Sequence, residues 1–291
     1  MPLWQQEHSA VTKLRAACPM QPLDDLLWAV NSQPLLNASP LVDPVDVGEI
    51  DHDHFAEFLR EQSDHRVGRY FERLILYWLT HIRKVQIVHH SKQILDAKRT
   101  IGEIDFIFRN ESHRLTHWET AIKFYLYDPL AQSFNSQFIG PNAADNFEKK
   151  TAKMFAKQLP LSKNHFPEVE VREAFVKGRV FYHPDQPKPT TLPKYLSPGH
   201  LTGRWIRAAE LDYLNRADPK SIFQVQQKPN WLTAQRPTAS EPQSLSSTEL
   251  VDQLKSHFDE LGHPVLVSEH SKLDEAKWIF VVPDSWPNEN N

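Results

Sequence analysis

The sequence predicts an α/β fold in which helices cover a mixed β-sheet. A helix-spaced apolar stripe lies at 66–82, and three strand-like runs follow it between residues 85 and 125. A second helical segment at 143–158 then precedes a fourth strand-like run. A sheet flanked by helices is the natural packing for the order helix, strand, strand, strand, helix, strand.

The composition is that of a globular protein. The chain has 291 residues, of which 40% are hydrophobic, and its 8 glycines argue against glycine-rich phosphate-binding loops. The formal net charge of −4 excludes a broadly basic surface for nucleic acid but leaves a local basic patch open. The single cysteine, Cys18, excludes a disulfide framework and a cysteine-based zinc site within one chain. Since no signal peptide or membrane-spanning run is recognised, we expect a soluble cytoplasmic protein with no membrane partner.

The N-terminal part is predicted to be helical. Two short helices are expected at 10–17 and 23–30, and a longer helix is expected from Arg66 to Ile82. The apolar residues of the longer helix are spaced three or four apart, at Val67, Tyr70, Phe71, Leu74, Ile75, Trp78 and Ile82. Such a stripe must face a core. The Asp-His-Asp-His run at 51–54 resembles a metal site but is interpreted as a helix cap.

The following elements are strands and a helix. Strands are predicted at Val85–His89, Ile101–Arg109, Leu115–Tyr125 and Ala174–Tyr182, and a helix at Ala143–Gln158. The five residues at 110–114 have the length of a hairpin loop, so the second and third strands are expected to pair.

The chain is predicted to divide into a core at 1–190 and a C-terminal lobe at 191–291, whose independence the sequence leaves open. The elements predicted in the lobe are a linker or long loop at 233–247, a helix to about Leu261, and strands at 264–268 and 278–282. Ser246 and Glu249 have the spacing of a capping box at the start of that helix.

Two carboxylates are predicted to face each other across the hairpin. Alternation along the strands collects their polar side chains on one face, with Glu103, Asp105 and Ile107 on the second strand and His117, Glu119, Ala121 and Lys123 on the third. If Arg109 pairs with Leu115, then Asp105 lies opposite Glu119, with Cβ atoms roughly 5 Å apart. A divalent cation would relieve the repulsion between them, and Mg²⁺ needs only one or two protein carboxylates.

This set of side chains suits phosphodiester hydrolysis. A bound Mg²⁺ ion polarises a phosphoryl oxygen and lowers the pKa of its bound water. Lys123, two positions further along the same face, is expected to orient that water or to stabilise developing negative charge. The alternative is structural, because one-sided polar alternation is also normal for an antiparallel hairpin with one solvated face.

Several segments carry a resemblance to a known family. GEIDFIF and HWETAIKFYL, which contain Asp105 and Glu119, resemble the PD-(D/E)xK nuclease superfamily, whose core is αβββαβ. More narrowly, the chain resembles a bacterial family of unknown function within that superfamily. That resemblance also includes DDLLWAV around Leu27, GRYFERLILYWL at Gly68–Leu79, GPN at Gly140–Asn142 and FVVPDSWP at Phe280–Pro287. It implies a restriction-endonuclease-like core with a mixed sheet, N-terminal helices and a C-terminal lobe.

The resemblance implies roles for the carboxylates. Asp105 takes the place of the superfamily's first acidic ligand and Glu119 that of the second, while Lys123 stands in for its lysine. The superfamily spacing is Glu-x-Lys, but residue 121 is alanine here, which displaces the lysine by roughly 6–7 Å along the strand. Glu72 matches the acidic residue on the superfamily's first helix.

The remaining candidates each have two interpretations. Glu72 either supports the metal or pairs with Arg69 on its own helix, and Glu103 is either an auxiliary metal ligand or an ion-pair partner. His117 either assists proton transfer or is a plain polar residue. The lysines Lys149, Lys150, Lys153 and Lys157 either contact phosphates or form a solvated helix face.

The sequence thus predicts a nuclease that uses Mg²⁺ or Mn²⁺ and acts on DNA or RNA. The alternative is a catalytically inactive module of the same fold that binds nucleic acid or a protein partner. Two features favour the alternative: the displaced lysine and the absence of an overall basic charge. A structural role in a larger assembly is a third interpretation.

Overall fold

The computed structural model describes residues 21–46, 48, 50–61, 65–97, 99–131, 136–237, 244–271 and 275–287. The helix predicted at 10–17 lies outside these residues, as does the middle of the loop predicted at 233–247. No helix among the described residues is both long and apolar enough to cross a membrane.

Six α-helices and nine strands make up the described fold. The helices are α1 (Gln21–Asn31), α2 (His52–Arg60), α3 (Val67–Tyr77), α4 (Phe147–Lys153), α5 (Leu159–His165) and α6 (Ser247–Glu260). The strands are β1 (Gln86–Asp96), β2 (Arg99–Arg109), β3 (Leu115–Tyr127), β4 (Phe138–Ile139), β5 (Val171–Tyr182), β6 (Leu201–Arg207), β7 (Ile222–Gln226), β8 (Val265–His270) and β9 (Lys277–Val282). Two π-helical turns follow α3 and α4, at Trp78–Ile82 and Met154–Gln158, and a 3₁₀ segment lies at Ala208–Arg216.

All nine strands belong to one mixed sheet. The strand order is β1-β2-β3-β5-β6-β9-β8-β7, and β4 pairs with β3. Strands β3, β5, β6 and β9 run parallel to each other, and the remaining pairs are antiparallel. The α/β class and the mixed sheet are therefore as predicted. The sheet also runs across residue 190, because β6 to β9 continue the sheet that β1 to β5 begin.

Helices cover both faces of the sheet around β3. Trp118 and Phe124 of β3 pack in the main core with α1 and α3, whereas Tyr125 packs in a second core with Phe147 and Met154 of the helical segment after β4. Successive strand residues point to opposite faces. Helix α3 therefore lies on one face, and the segment formed by α4, its π-turn and α5 lies on the other.

The helix predicted at Ala143–Gln158 is placed differently in the structure. It begins at Phe147, because the Asn146 side chain caps it by accepting a hydrogen bond from the backbone N–H of Lys149 at 2.8 Å. It then continues through the π-turn into α5, which ends at His165. Pro160 lies in the first turn of α5, where its missing N–H costs little.

Strand β1 is longer than predicted and forms an irregular hairpin with β2, a pairing that the sequence did not predict. In β1, His90 pairs with Phe106 and Lys92 with Ile104, so Ser91 lies opposite Asp105. Ser91 has a φ of +49°, a left-handed conformation that is unusual for any residue but glycine. The predicted strict alternation of β2 is interrupted at the same place. Ile104 and Ile107 share one small core, whereas Phe106 and Phe108 pack in the main one.

Several local predictions are confirmed. Helix α3 and its π-turn cover the range predicted for the long helix, and Asp51 caps α2 by accepting from the backbone N–H of His54 at 3.0 Å. Ser246 and Glu249 form the predicted capping box of α6.

Candidate active site

Strands β2 and β3 separate from each other at Asp105 and Glu119. Arg109 pairs with Leu115, as predicted, and the paired register ends at Phe106. Asp105 and Glu119 occupy the next positions on the two strands. Beyond them β2 pairs with β1 alone while β3 pairs with β5, so the carboxylates lie where the sheet forks.

Each carboxylate binds the strand across the fork. Oδ2 of Asp105 accepts a hydrogen bond from the Thr120 backbone N–H at 2.7 Å and lies 3.2 Å from the Thr120 hydroxyl. The Glu119 carboxylate in turn accepts a hydrogen bond from the backbone N–H of Asp105. The two side chains therefore replace the ladder hydrogen bonds that the separating strands no longer make.

Glu119 is fully buried beneath the helical segment. Its Oε1 lies 3.0 Å from Nε2 of His117, and its Oε2 accepts a hydrogen bond from the Gln158 side-chain amide. His117 is held by α5, because its Nδ1 lies 2.9 Å from the hydroxyl of Ser162. Arg172 donates to the same hydroxyl at 2.8 Å.

Burial makes both carboxyls weak acids. Desolvation, followed by the negative charge of Glu119, raises the pKa of Asp105 to about 7. Desolvation also raises the pKa of Glu119 to about 8, although the positive charge of Lys150 opposes this. Among the described residues, no lysine or arginine lies within ion-pair distance of either carboxylate. The pair therefore retains protons near neutral pH unless another cation is bound.

His117 is a neutral partner in this site. It is completely buried, and desolvation lowers its pKa to about 4. At neutral pH it therefore adds no positive charge beside Glu119. Both of its ring nitrogens have partners, so its position points to orienting Glu119.

The two central lysines have different environments. Lys123 donates to Oδ2 of Asp145 at 2.7 Å, which forms an ion pair. Lys150 instead donates to Oε1 of Gln158 at 3.2 Å, and the amide nitrogen of Gln158 donates to Glu119. Lys150 is thus connected to the carboxylate pair through one side chain.

The carboxylates of Glu72 and Glu103 both form ion pairs with Arg69. Its guanidinium lies 2.7 Å from Glu72 and 3.4 Å from Glu103, which matches the ion-pair interpretation of both residues. Burial opposes ionisation of Glu72, but hydrogen bonds from His90, Ser91 and Arg69 lower its pKa overall. The charge of Glu72 still contributes to the raised pKa of Asp105, so Glu72 lies within electrostatic reach of the pair.

The four carboxylates predicted as metal ligands do not come together in one group. Within the described part of the chain, no three His, Cys, Asp or Glu side chains are placed to hold a metal ion. Asp105 and Glu119 remain as a pair. Their donor set fits Mg²⁺, which needs only one or two protein carboxylates and keeps several waters. A metal ion that requires three or more protein ligands does not fit the described side chains.

The predicted lysine set is divided between two environments. Lys149 and Lys153 are exposed on α4, as a solvated helix face requires, whereas Lys150 is half-buried beside the site. Sequence reasoning did not single out Gln158 or Thr120. No motif marks Gln158, because its place on the site depends on the π-turn. Thr120 contributes mainly its backbone N–H, which no residue type signals.

The chain matches one protein-family model. The model with the description "Domain of unknown function (DUF1853)" matches residues 14–282, which is most of the chain. No curated protein and no solved structure matches. The match provides a family but no activity, so the function is inferred from the site.

Proposed function

The chain belongs to the DUF1853 family, and we propose that it is a PD-(D/E)xK-type phosphodiesterase that cleaves DNA or RNA with Mg²⁺ or Mn²⁺. One observation carries the proposal: the buried carboxyl of Glu119 and the half-buried carboxyl of Asp105 lie together at a strand fork, with raised pKa values and no basic partner within ion-pair distance among the described residues. Raised pKa values of this kind are concentrated at functional sites. The restriction-endonuclease-like core is part of the same proposal.

In this mechanism the protein's own side chains hold and orient the reacting groups. Hydrolysis forms a bond between a water oxygen and phosphorus and breaks the bond to the leaving oxygen; a proton leaves the water, and the leaving oxygen takes one up. A bound cation would supply polarisation of the phosphoryl group and of the attacking water. Asp105 and Glu119 would provide its oxygen ligands, and His117 keeps Glu119 in place. A nearby ammonium group stabilises the negative charge that develops on phosphate.

The alternative is a non-catalytic binding module on the same scaffold. It is favoured by the hydrogen bonds that the protein itself makes to the carboxylates. Both oxygens of Glu119 and one oxygen of Asp105 already have protein hydrogen-bond partners. It is also favoured by Lys123, whose ammonium is paired with Asp145. In this case the protein binds nucleic acid or a protein partner without turnover.

The test is cleavage by the purified full chain. Plasmid DNA, single-stranded DNA and RNA oligonucleotides are incubated with Mg²⁺, with Mn²⁺ or with EDTA. We expect metal-dependent cleavage that falls roughly 100-fold or more in Asp105→Asn and Glu119→Gln, because each variant removes a proposed metal ligand. Glu111→Gln is the matched control, since Glu111 pairs with Arg83 away from the fork.

Two results would contradict the nuclease proposal. One is cleavage that persists in EDTA or in both site variants, which would place the activity elsewhere. The other is specific binding of nucleic acid without cleavage under any metal condition, which would support the binding module.

A further inference from the structure

We propose that Lys150, rather than Lys123, provides the positive charge of the carboxylate site, to which it is linked through the side chain of Gln158. The inference assigns a residue of the helical layer to a role that the third strand was expected to fill. The role of Lys150 in stabilising a phosphoryl group rests on the proposed function. The electrostatic coupling of Lys150 to the carboxylates does not depend on that function.

The first support is the hydrogen-bonded chain from Lys150 to Glu119. The ammonium of Lys150 donates to the Gln158 amide oxygen at 3.2 Å, and the Gln158 amide nitrogen donates to Oε2 of Glu119. An ammonium can only donate, so the amide oxygen of Gln158 must face Lys150 and its NH₂ group faces Oε2 of Glu119. The two contacts therefore fix the orientation of the amide, which links Lys150 to Glu119 through one side chain.

The second support is the position of Lys123. It lies four residues after Glu119 on β3, which separates their Cα atoms by roughly 13 Å. Its ammonium is bound to Asp145 at 2.7 Å. The strand cannot shift to bring it closer, because β3 is held in continuous register with β5 and the Lys123 carbonyl packs tightly against Gly178. A Cβ added to Gly178 would lie 1.8 Å from that oxygen.

The third support is the π-turn at Met154–Gln158. Lys150 and Gln158 are eight residues apart, and in a continuous α-helix they would be rotated by roughly 80° from each other. The π-turn between them has more residues per turn, which reduces this rotation and places Gln158 on the same side of the helical segment as Lys150. Single π-turns inside helices often occur at functional sites.

The electrostatics agree with this geometry. Burial is the largest influence on Lys150 and lowers its pKa, and the neighbouring positive charge of Lys123 lowers it further, while the negative charges of Glu119 and Asp105 oppose that change. Lys150 is not within ion-pair distance of either carboxylate, so its ammonium remains available to an anionic phosphate at the fork. Lys123 and Lys150 also line the same small cavity, which makes Lys123 a matched control.

The test compares two neutral variants of neighbouring lysines, Lys150→Met and Lys123→Met, in the full chain. The first readout is the pH titration of the Glu119 carboxyl, which is monitored by NMR in the absence of metal and substrate. In Lys150→Met we expect the pKa of Glu119 to rise by about one unit or more, because a positive charge near a partly buried site is lost. Lys123→Met and Lys150→Arg should leave it nearly unchanged.

The second readout is cleavage. If the proposed nuclease activity is present, Lys150→Met should lower kcat roughly 100-fold, Lys150→Arg should restore part of the loss, and Lys123→Met should remain within about three-fold of the parent. Lys150→Gln is a second neutral variant in case Lys150→Met does not fold, which circular dichroism and thermal melting would reveal.

The outcomes separate the two proposals. If Lys123→Met raises the pKa of Glu119 and Lys150→Met does not, the assignment of Lys150 is overturned. If Lys150→Met shifts the titration as expected but the parent cleaves nothing, the coupling is confirmed and the nuclease proposal fails.

Discussion

At the scale of the residue, burial decides the charge of the site. Asp105 and Glu119 lie close together without a basic partner in ion-pair contact among the described side chains, and desolvation raises the pKa of each above its ordinary value. The facing arrangement was predictable from alternation and a hairpin register. The burial was not, because the helical layer that covers Glu119 comes from residues some forty positions away.

This burial predicts how stability depends on pH. The pKa values of Asp105 and Glu119 rise from 3.8 and 4.5 to about 7 and about 8 on folding, so the folded state binds protons more tightly than the unfolded state. Without metal, this pair should therefore contribute a fall in the free energy of unfolding as pH rises from about 4 to about 8. His117 and His270, whose pKa values burial lowers to about 4, contribute a rise up to about pH 6.5. Denaturant titrations at several pH values measure this. The slope should be smaller in the double variant Asp105→Asn/Glu119→Gln.

A control is needed because Asp25 contributes with the same sign. It is buried between Tyr70 and Thr233, and desolvation raises its pKa to about 7. Asp25→Asn should remove its own share of the slope and leave the share of the carboxylate pair. A slope that is unchanged in the double variant would show that the pair ionises normally.

The proposed binding of a metal ion should become stronger as pH rises. A cation at the fork must displace the protons of Asp105 and Glu119, so binding becomes more favourable as they ionise. The rise in Tm on adding Mg²⁺ should therefore be larger at about pH 8.5 than at about pH 6. The rise should be absent in Asp105→Asn. An equal rise in that variant would place the cation elsewhere.

At the scale of the element, local signals were informative where each element depends on its own residues. The apolar spacing of α3 and the capping box of α6 were both readable from short segments. The π-turn after α4 was not readable, because an extra residue in a helical turn is selected by what the helix packs against. Ser91, with its positive φ opposite Asp105, is a second irregularity of this kind.

The capping box predicts the stability of its helix. Ser246 accepts from the backbone N–H of Glu249, and its own backbone N–H is bound by the Glu249 carboxylate at 2.8 Å. Ser246→Ala should lower the free energy of unfolding by about 1 kcal/mol. Ser256→Ala in the same helix is the control and should have little effect, because Ser256 is exposed and donates only to the preceding turn. Equal losses would show that the cap contributes nothing specific.

At the scale of the whole molecule, one sheet joins the predicted core and the predicted lobe. Strands β6 and β9 continue the parallel ladder after β5. Trp205, Trp231 and Phe280 pack in the main core together with residues of α1 and α3. The residues beyond 190 therefore complete the core rather than only extending it.

The continuous sheet predicts the result of truncation. A chain ending at residue 190 leaves β5 as an open edge and removes the aromatic side chains at 205, 231 and 280 from the core. We expect it to lose cooperative unfolding, since the loss of several large buried side chains, at about 3–5 kcal/mol each, exceeds the stability of a typical domain. Thermal melts followed by near-ultraviolet circular dichroism measure this. A sharp transition in the fragment would show that 1–190 folds alone.

By itself the sequence determined the α/β class and the order helix, strand, strand, strand, helix, strand that leads to β5. It also determined the register that makes Asp105 face Glu119, but it predicted neither β4 nor α5. Periodicity and turn length encode these features, because each depends on residues close together in the chain. Only the tertiary structure decided that the strands fork at the carboxylates, that Gln158 reaches Glu119 from the helical layer and accepts a hydrogen bond from Lys150, and that Lys123 pairs with Asp145. The same holds for the extension of the sheet through β9. These features depend on which distant segments pack together, and a local pattern specifies an apolar face without specifying its partner.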